Sequence, residues 1–272
     1  MLNTYSRRNL LGFASTFLPM KALGLRLGSF SFDLEAGSGE PIADVFPTQS
    51  PELIREMVTV SHFDLRRVRE LVEARPSLAR AAQDWGFGDW EDALGAASHV
   101  GNRPIAEYLI SKGARPTMFS AAMLGQLDVV KAYVTSVPGV ERIRGPHSIP
   151  LLSHARAGGA QASKVYDYLQ SLGDADSDAE APLSDDEKTR LLGTYNFGVS
   201  ANQRVDVTLE GVKTKQLTWT RRGKVGRPLY HLGNSVFYPA GAPDVRIRFA
   251  EGSNTMVMNI TDPDVVLTAK RI

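Results

Sequence analysis

Ala93-Leu94-Gly95-Ala96-Ala97-Ser98-His99-Val100-Gly101-Asn102, followed by Ile105-Ala106-Glu107-Tyr108-Leu109-Ile110-Ser111-Lys112-Gly113-Ala114-Arg115-Pro116, decides how half of this 272-residue chain is read. The first block is a short helix of small and apolar residues stopped by a glycine. The second is a helix whose apolar residues recur at helical spacing, again closed by a glycine. The same pair recurs downstream. Phe119-Ser120-Ala121-Ala122-Met123-Leu124-Gly125 leads into Leu127 to Val134, and Leu151-Leu152-Ser153-His154-Ala155-Arg156-Ala157-Gly158 leads into Val165 to Leu169. Upstream, His62-Phe63-Asp64-Leu65 runs into Val68, Leu71 and Val72 and ends at Pro76-Ser77-Leu78. Ala96, Ala97, Ala121 and Ala122 let paired helices approach closely. Gly101, Gly125 and Gly158 stand where a helix stops and the chain turns, which favours a residue tolerant of positive φ, and Pro150 stands in a first helical turn.

These in-phase segments resemble bacterial ankyrin repeats. Asp64-Leu65-x-x-Val68-x-x-Leu71-Val72 matches the opening of the unit, and Gly113-Ala114-Arg115-Pro116 its exit. The spacing from Gly101 to Gly125 is shorter than the ankyrin period of about 33, which implies a unit without a full β-hairpin finger. About four units are expected over residues 51–176, the first a degenerate cap. The resemblance implies a scaffold that binds proteins through finger tips and inner helix faces. Trp85, Phe87 and Trp90 of the loop Asp84–Trp90, with Arg115, Arg142, Arg144 and His147, are the side chains that would form such a surface. Phe87 and Trp90 would equally serve to cover the end of the first helix stack.

Ahead of the repeats, Ser6-Arg7-Arg8-Asn9-Leu10-Leu11 resembles a bacterial twin-arginine export signal, with an apolar stretch to Met20 and then Lys21. Residues 1–28 are read as that segment and 29–50 as a linker. The expected localisation is therefore export to the periplasm or beyond. Behind the repeats, residues 177–190 are acidic and small and read as a second linker. From there the period changes to two: Val205, Val207 and Leu209; Leu217 and Trp219; Val245, Ile247 and Phe249; Met256, Met258 and Ile260. Turns are expected at Gly233-Asn234 and Glu251-Gly252. Residues 191–272 thus form an antiparallel sheet or small barrel, similar to the lipocalin-like domain that trails β-lactamase-like proteins. The expected fold class is α+β and multidomain, an ankyrin helical solenoid followed by a small antiparallel β-sheet or barrel domain.

Chemistry is sparse in the sequence. With no cysteine there are no disulfides, thiolate nucleophiles or zinc-thiolate sites, and Lys+Arg 31 against Asp+Glu 30 gives no field that would draw nucleic acid. No serine is followed three residues later by lysine, and no H-E-x-x-H, G-x-S-x-G or phosphate-cradling loop occurs. Of the five histidines none stands at a two-ligand helical spacing from another, so no metal site, catalytic residue or cofactor is assigned. The expected function is an exported, non-catalytic binding module for a protein or peptide, with no nucleic acid and no stable membrane span once the signal is removed. The alternatives are a small-ligand carrier using the β domain's interior, lined by aromatics such as Tyr195 and Phe237, or a hydrolase with an unrecognised site.

Overall fold

Side-chain caps set most of the helix starts. The structure, a computed structural model, describes residues 48–272 apart from 176–180, 201–202, 212–214, 254 and 263–264. The expected export signal, and nearly all of the linker after it, lie outside the described residues. Ser50 accepts from Leu53 N at the head of α1 (Pro51–Val60), and Asp64 from Arg67 N at the head of α2 (Leu65–Ala74). A short hairpin follows, β1 (Ala82–Asp84) and β2 (Trp90–Asp92), in register Gln83 to Glu91. Asp92 then caps α3 (Ala93–His99) and Asn102 caps α4 (Arg103–Ser111). Thr117 and Ser120 form a reciprocal capping box on α5 (Met118–Met123), which leads to α6 (Leu127–Ser136), α7 (Leu151–Ala157) and α8 (Ser163–Leu172).

The alanines do what their size predicts. Ala96, Ala97, Ala121, Ala122 and Ala155 are buried, where α3, α5 and α7 pack side by side. Gly101 and Gly125 adopt left-handed φ of +77° and +75°, and a Cβ on either would sit 2.2 Å from a carbonyl oxygen, that of Ala157 or of Gln161. Gly158 differs from expectation. Its φ is −68°, and glycine is needed there because a Cβ would meet the Met123 carbonyl at 2.1 Å; the left-handed residue is the next one, Gly159. Pro150 is the residue before the first turn of α7, not within it. Arg103 donates to the carbonyls of Met123 and Leu124 and so closes the end of α5 from the neighbouring helix pair.

After α9 (Asp185–Leu191), capped by Ser184 with Glu187, come eight strands: β3 (Gly193–Asn196), β4 (Arg204–Glu210), β5 (Gln216–Arg221), β6 (Arg227–Gly233), β7 (Val236–Pro239), β8 (Arg246–Glu251), β9 (Met256–Asp262) and β10 (Val265–Arg271). Each pairs antiparallel with the next, and β10 pairs back to β3, which closes a barrel. The expected β-barrel is therefore present. Its inward positions are those the alternation marks: Val205, Val207, Leu217, Trp219, Ile247, Phe249, Met258 and Ile260 are buried. Tyr195 and Phe237 are fully buried in the interior, both edge-on to Phe249, and the Tyr195 hydroxyl donates to Leu191 O at 2.8 Å. Asn234 and Ser235 take positive φ in the β6–β7 turn.

The helical solenoid is corrected by this arrangement. Among the described residues there are nine short helices and one closed eight-stranded barrel, a mixed α+β architecture with no solenoid. The helices run six to ten residues, and 3-10 turns at Pro76–Arg80, Val140–Arg142, Pro146–Ser148 and Gly159–Ala162 stand where a regular array needs continuous helices or hairpins. Only one finger, β1–β2, is a regular hairpin among the described residues. The barrel covers its tip, where the Arg227 guanidinium donates to Trp85 O at 2.8 Å and to Gly86 O at 3.3 Å, and it also meets the turn before α7, where Gly241 N donates to Ser148 Oγ at 2.7 Å. Thr48–Ile272 accordingly form one compact unit. No helix among the described residues is long and apolar enough to cross a membrane.

Candidate metal centre

Four side chains from four separate segments meet beneath the covered finger. His62 follows α1, where Ser61 Oγ donates back to Met57 O and the chain leaves the helix. Glu91 is the middle residue of β2, so strand alternation turns it inward while Trp90 and its ring face solvent. His99 is the last residue of α3. His147 stands in the turn Pro146–Ser148 with a left-handed φ of 58°. Asp89 fixes that conformation, accepting from His147 N at one oxygen and from His147 Nδ1 at the other, both at 2.8 Å.

One carboxylate oxygen is the meeting point. Glu91 Oε1 lies 3.6 Å from His62 Nε2, 3.6 Å from His99 Nε2 and 3.4 Å from His147 Nε2. Its other oxygen accepts from Trp85 Nε1 at 2.8 Å. Glu91 is fully buried, yet Oε1 makes no hydrogen bond, and neither ring nitrogen of His99 makes one. Unpaired buried polar atoms are costly, so a cluster of them at one point calls for an explanation.

The protonation pattern follows from the neighbours. Burial alone would raise the Glu91 carboxyl, but the close His147 and His62 rings outweigh it and bring it down to about 2. Burial likewise opposes charge on His147; its bond to Asp89 and the nearby Glu91 overcome this and lift it to about 9. His62 is raised by the same carboxylate against the same penalty. His99, whose burial is reinforced by repulsion from His62 and His147, falls to about 4 and is neutral.

A transition-metal ion fits this donor set. A tetrahedral ion with bonds of about 2.1 Å spaces its donors roughly 3.4 Å apart. The three histidine-to-Glu91 distances match that spacing, and all four donor atoms lie within 4.8 Å of one another. Two of the three tautomers fit as well, those of His62 and His147, while His99 Nδ1 has no partner. His62 Nδ1 donates to the carbonyls of Val58 and Thr59 at 3.1 and 3.0 Å, and His147 Nδ1 donates to Asp89 Oδ2. Both rings thereby turn a Nε2 lone pair towards the centre once neutral, the outer-shell arrangement that metal-binding histidines use. Three imidazoles and a carboxylate suit zinc and its first-row neighbours better than calcium or magnesium.

The centre is open on one side. His62, His99 and His147 line a cavity of about 550 Å³ between the finger and the barrel, whose other walls include Trp85, Phe87, Trp219, Lys224 and Arg227. With all four donors engaged, a metal there would take water or a ligand's donor atom from that space as a fifth ligand.

Of the residues singled out in the sequence, Trp85, Phe87 and His147 meet at this cavity. Phe87 is 43% exposed with φ of 59°, and its ring centroid lies 6.1 Å from that of Trp219. Trp90 and Arg144 line a neighbouring groove of about 420 Å³, and Arg144 also donates to Ser148 O at 3.0 Å. Arg142 pairs with Asp174 at 3.2 Å, Arg115 is exposed between α4 and α5, and neither lines the cavity. His62, Glu91, His99 and Asp89 were not assigned a site role from sequence, whereas Arg227 belongs, with Arg221, Arg222 and Lys224, to a basic run that the sequence offers either as a contact for an acidic ligand or as a solvated hairpin tip. His62 and His99 carried a signal: Ser61-His62 and Ser98-His99 repeat at the end of successive first helices, each serine hydroxyl donating back to a helical carbonyl. That shared phase sets the two rings 4.8 Å apart. Comparison with known protein families, curated proteins and solved structures finds nothing that matches this chain.

Proposed function

We propose that the protein binds a divalent first-row transition-metal ion through His62, Glu91, His99 and His147 and holds it facing a cavity from which a small ligand adds a fifth donor. The observation that carries the reading is the convergence of three histidine Nε2 atoms, at 3.4 to 3.6 Å, on a buried Glu91 oxygen that has no hydrogen-bond partner. An unpartnered imidazole nitrogen alone does not mark the site, since His154, outside the cluster, bonds Pro150 O at 3.0 Å through Nδ1 and leaves Nε2 without a partner. What sets the cluster apart is that three such nitrogens face one carboxylate oxygen. With neutral imidazoles and an ionised Glu91, a bound divalent ion leaves one net positive charge at the cavity floor, which attracts an anionic or electron-rich ligand.

Metal content of the purified full chain, loaded in turn with zinc, cobalt and manganese and then desalted, tests the reading. One zinc or cobalt ion per chain is expected for the wild type, and none for His99→Ala or for the double variant His62→Ala/His147→Ala, each checked for fold by circular dichroism. Uptake below stoichiometry for all three ions, or equal uptake by folded His99→Ala, would leave the cluster as a buried charge knot built from Glu91, His147 and Asp89.

A further inference from the structure

The walls above the metal site carry information that the donor set does not. Arg55, Arg221, Lys224 and Arg227 line the cavity, and no Asp or Glu does so among the described residues. Arg227 is committed to the protein, with Asp89 at 3.2 Å and the carbonyls of Ala240 and Trp85 within bonding distance. Lys224 sits on the β5–β6 turn at the mouth, beside Gly223 with φ of +72°. A cavity with cations on its rim and a metal at its floor repels cationic ligands and concentrates anions.

Other walls are flat and apolar. Trp85, Phe87 and Trp219 contribute rings, with Val225 and Pro228 beside them. Phe87 is held in the left-handed region between Gly86 and Gly88, themselves at φ of +110° and +76°. A bulky side chain there is strained, and at 43% exposure its burial does not repay the strain. Such a conformation is kept where the side chain has another use, and this one places a ring over the cavity against the barrel. The volume of about 550 Å³ lies within the roughly 300–1,000 Å³ of small-molecule sites.

We infer that the cavity takes a small organic oxyanion with a flat apolar body, its anionic group on the metal, its body against Phe87 and Trp219, and Lys224 as the rim charge that draws it in. The inference rests on the metal reading above. Free aryl carboxylates and aryl phosphates share this chemistry, and benzoate and phenyl phosphate are the probes that separate them.

Cobalt-loaded full chain, followed by its visible absorption, tests both steps separately. Benzoate or phenyl phosphate is expected to change the cobalt spectrum saturably and to bind at least tenfold more tightly than acetate or inorganic phosphate, respectively. Phe87→Ala should reduce that preference to less than threefold, and Lys224→Ala should weaken the aryl anion severalfold. Arg222→Ala, at the same turn but outside the cavity, should change neither. A chain that takes up no cobalt refutes the metal reading. A normal cobalt spectrum that ignores both aryl anions, responds equally to benzyl alcohol or benzamidine, or keeps its aryl preference in Phe87→Ala refutes the ligand inference alone.

Discussion

Asp89 grips His147 twice, through its backbone N–H and through Nδ1, with both bonds at 2.8 Å. The same carboxylate faces Arg227 of the barrel at 3.2 Å and is 3% exposed. Asp89→Asn keeps the shape but loses the charge that fixes the tautomer and answers Arg227. Zinc affinity should fall roughly 10- to 100-fold by calorimetric titration, as when an outer-shell carboxylate is removed. Stability should fall by about 3 kcal/mol in urea, because a buried cation loses its partner.

Removal of the metal should be visible in the melting temperature. An ion that binds only the folded chain adds about 2.7 kcal/mol at a free concentration one hundred times its Kd. Chelation should therefore lower the melting temperature by roughly 5–10 °C, and zinc should restore it. A chelator-insensitive melt in zinc-saturated protein would contradict the centre.

Without metal, stability should peak near pH 6.5. Glu91 lies at about 2 in the fold against an ordinary 4.5, and His99 at about 4 against 6.5. In both windows the unfolded chain takes up a proton that the fold refuses, so stability falls on acidification from pH 6.5. His154 is lowered too and acts in the same direction. His147 lies at about 9 against 6.5, and His62 is also raised. Above pH 6.5 the fold keeps protons that the unfolded chain has lost, so stability falls again on alkalinisation. Asp92, raised by burial, opposes the acid limb. Urea midpoints of chelated protein between pH 4 and 9 would trace this curve, and a monotonic rise would contradict it.

Glycine substitutions separate backbone strain from collision. Gly113→Ala has φ of +89° and open space around the added methyl, so it should cost about 1 kcal/mol. Gly101→Ala adds a methyl 2.2 Å from Ala157 O and should cost at least about 3 kcal/mol. Chemical denaturation of the two variants side by side is the measurement.

Phe87→Asn should leave stability unchanged or raise it by up to about 1 kcal/mol, since asparagine tolerates the left-handed region better than phenylalanine. The same variant should lose the preference for aryl anions. A large loss of stability would show that the ring is structural cover.

The barrel was legible because alternation has a direct physical cause. Val205 and Val207, or Met256, Met258 and Ile260, must all point one way on a pleated strand, and they are the residues found buried inside. Gly101 and Gly125 were legible for a similar reason, as helix stops with left-handed φ. Local pattern, however, is silent about what covers a helix pair, and the expected solenoid failed there, where Arg227 and Gly241 bring the barrel onto the finger and the turn before α7. The candidate metal centre does not follow from two ligands on one helix, because His62, His99 and His147 come from three segments joined only by packing. The repeated Ser-His step at 61–62 and 98–99 was the available trace, and Glu91 needed the hairpin register to be known.

The four donors stand after α1, within β2, at the end of α3 and just before α7. The proposed ion would join them at one point, so an insertion or deletion in the chain between His99 and His147 would carry one donor away from the others. Coordination would thus act as a ruler on the helical half, fixing the length of chain between its first and last donors.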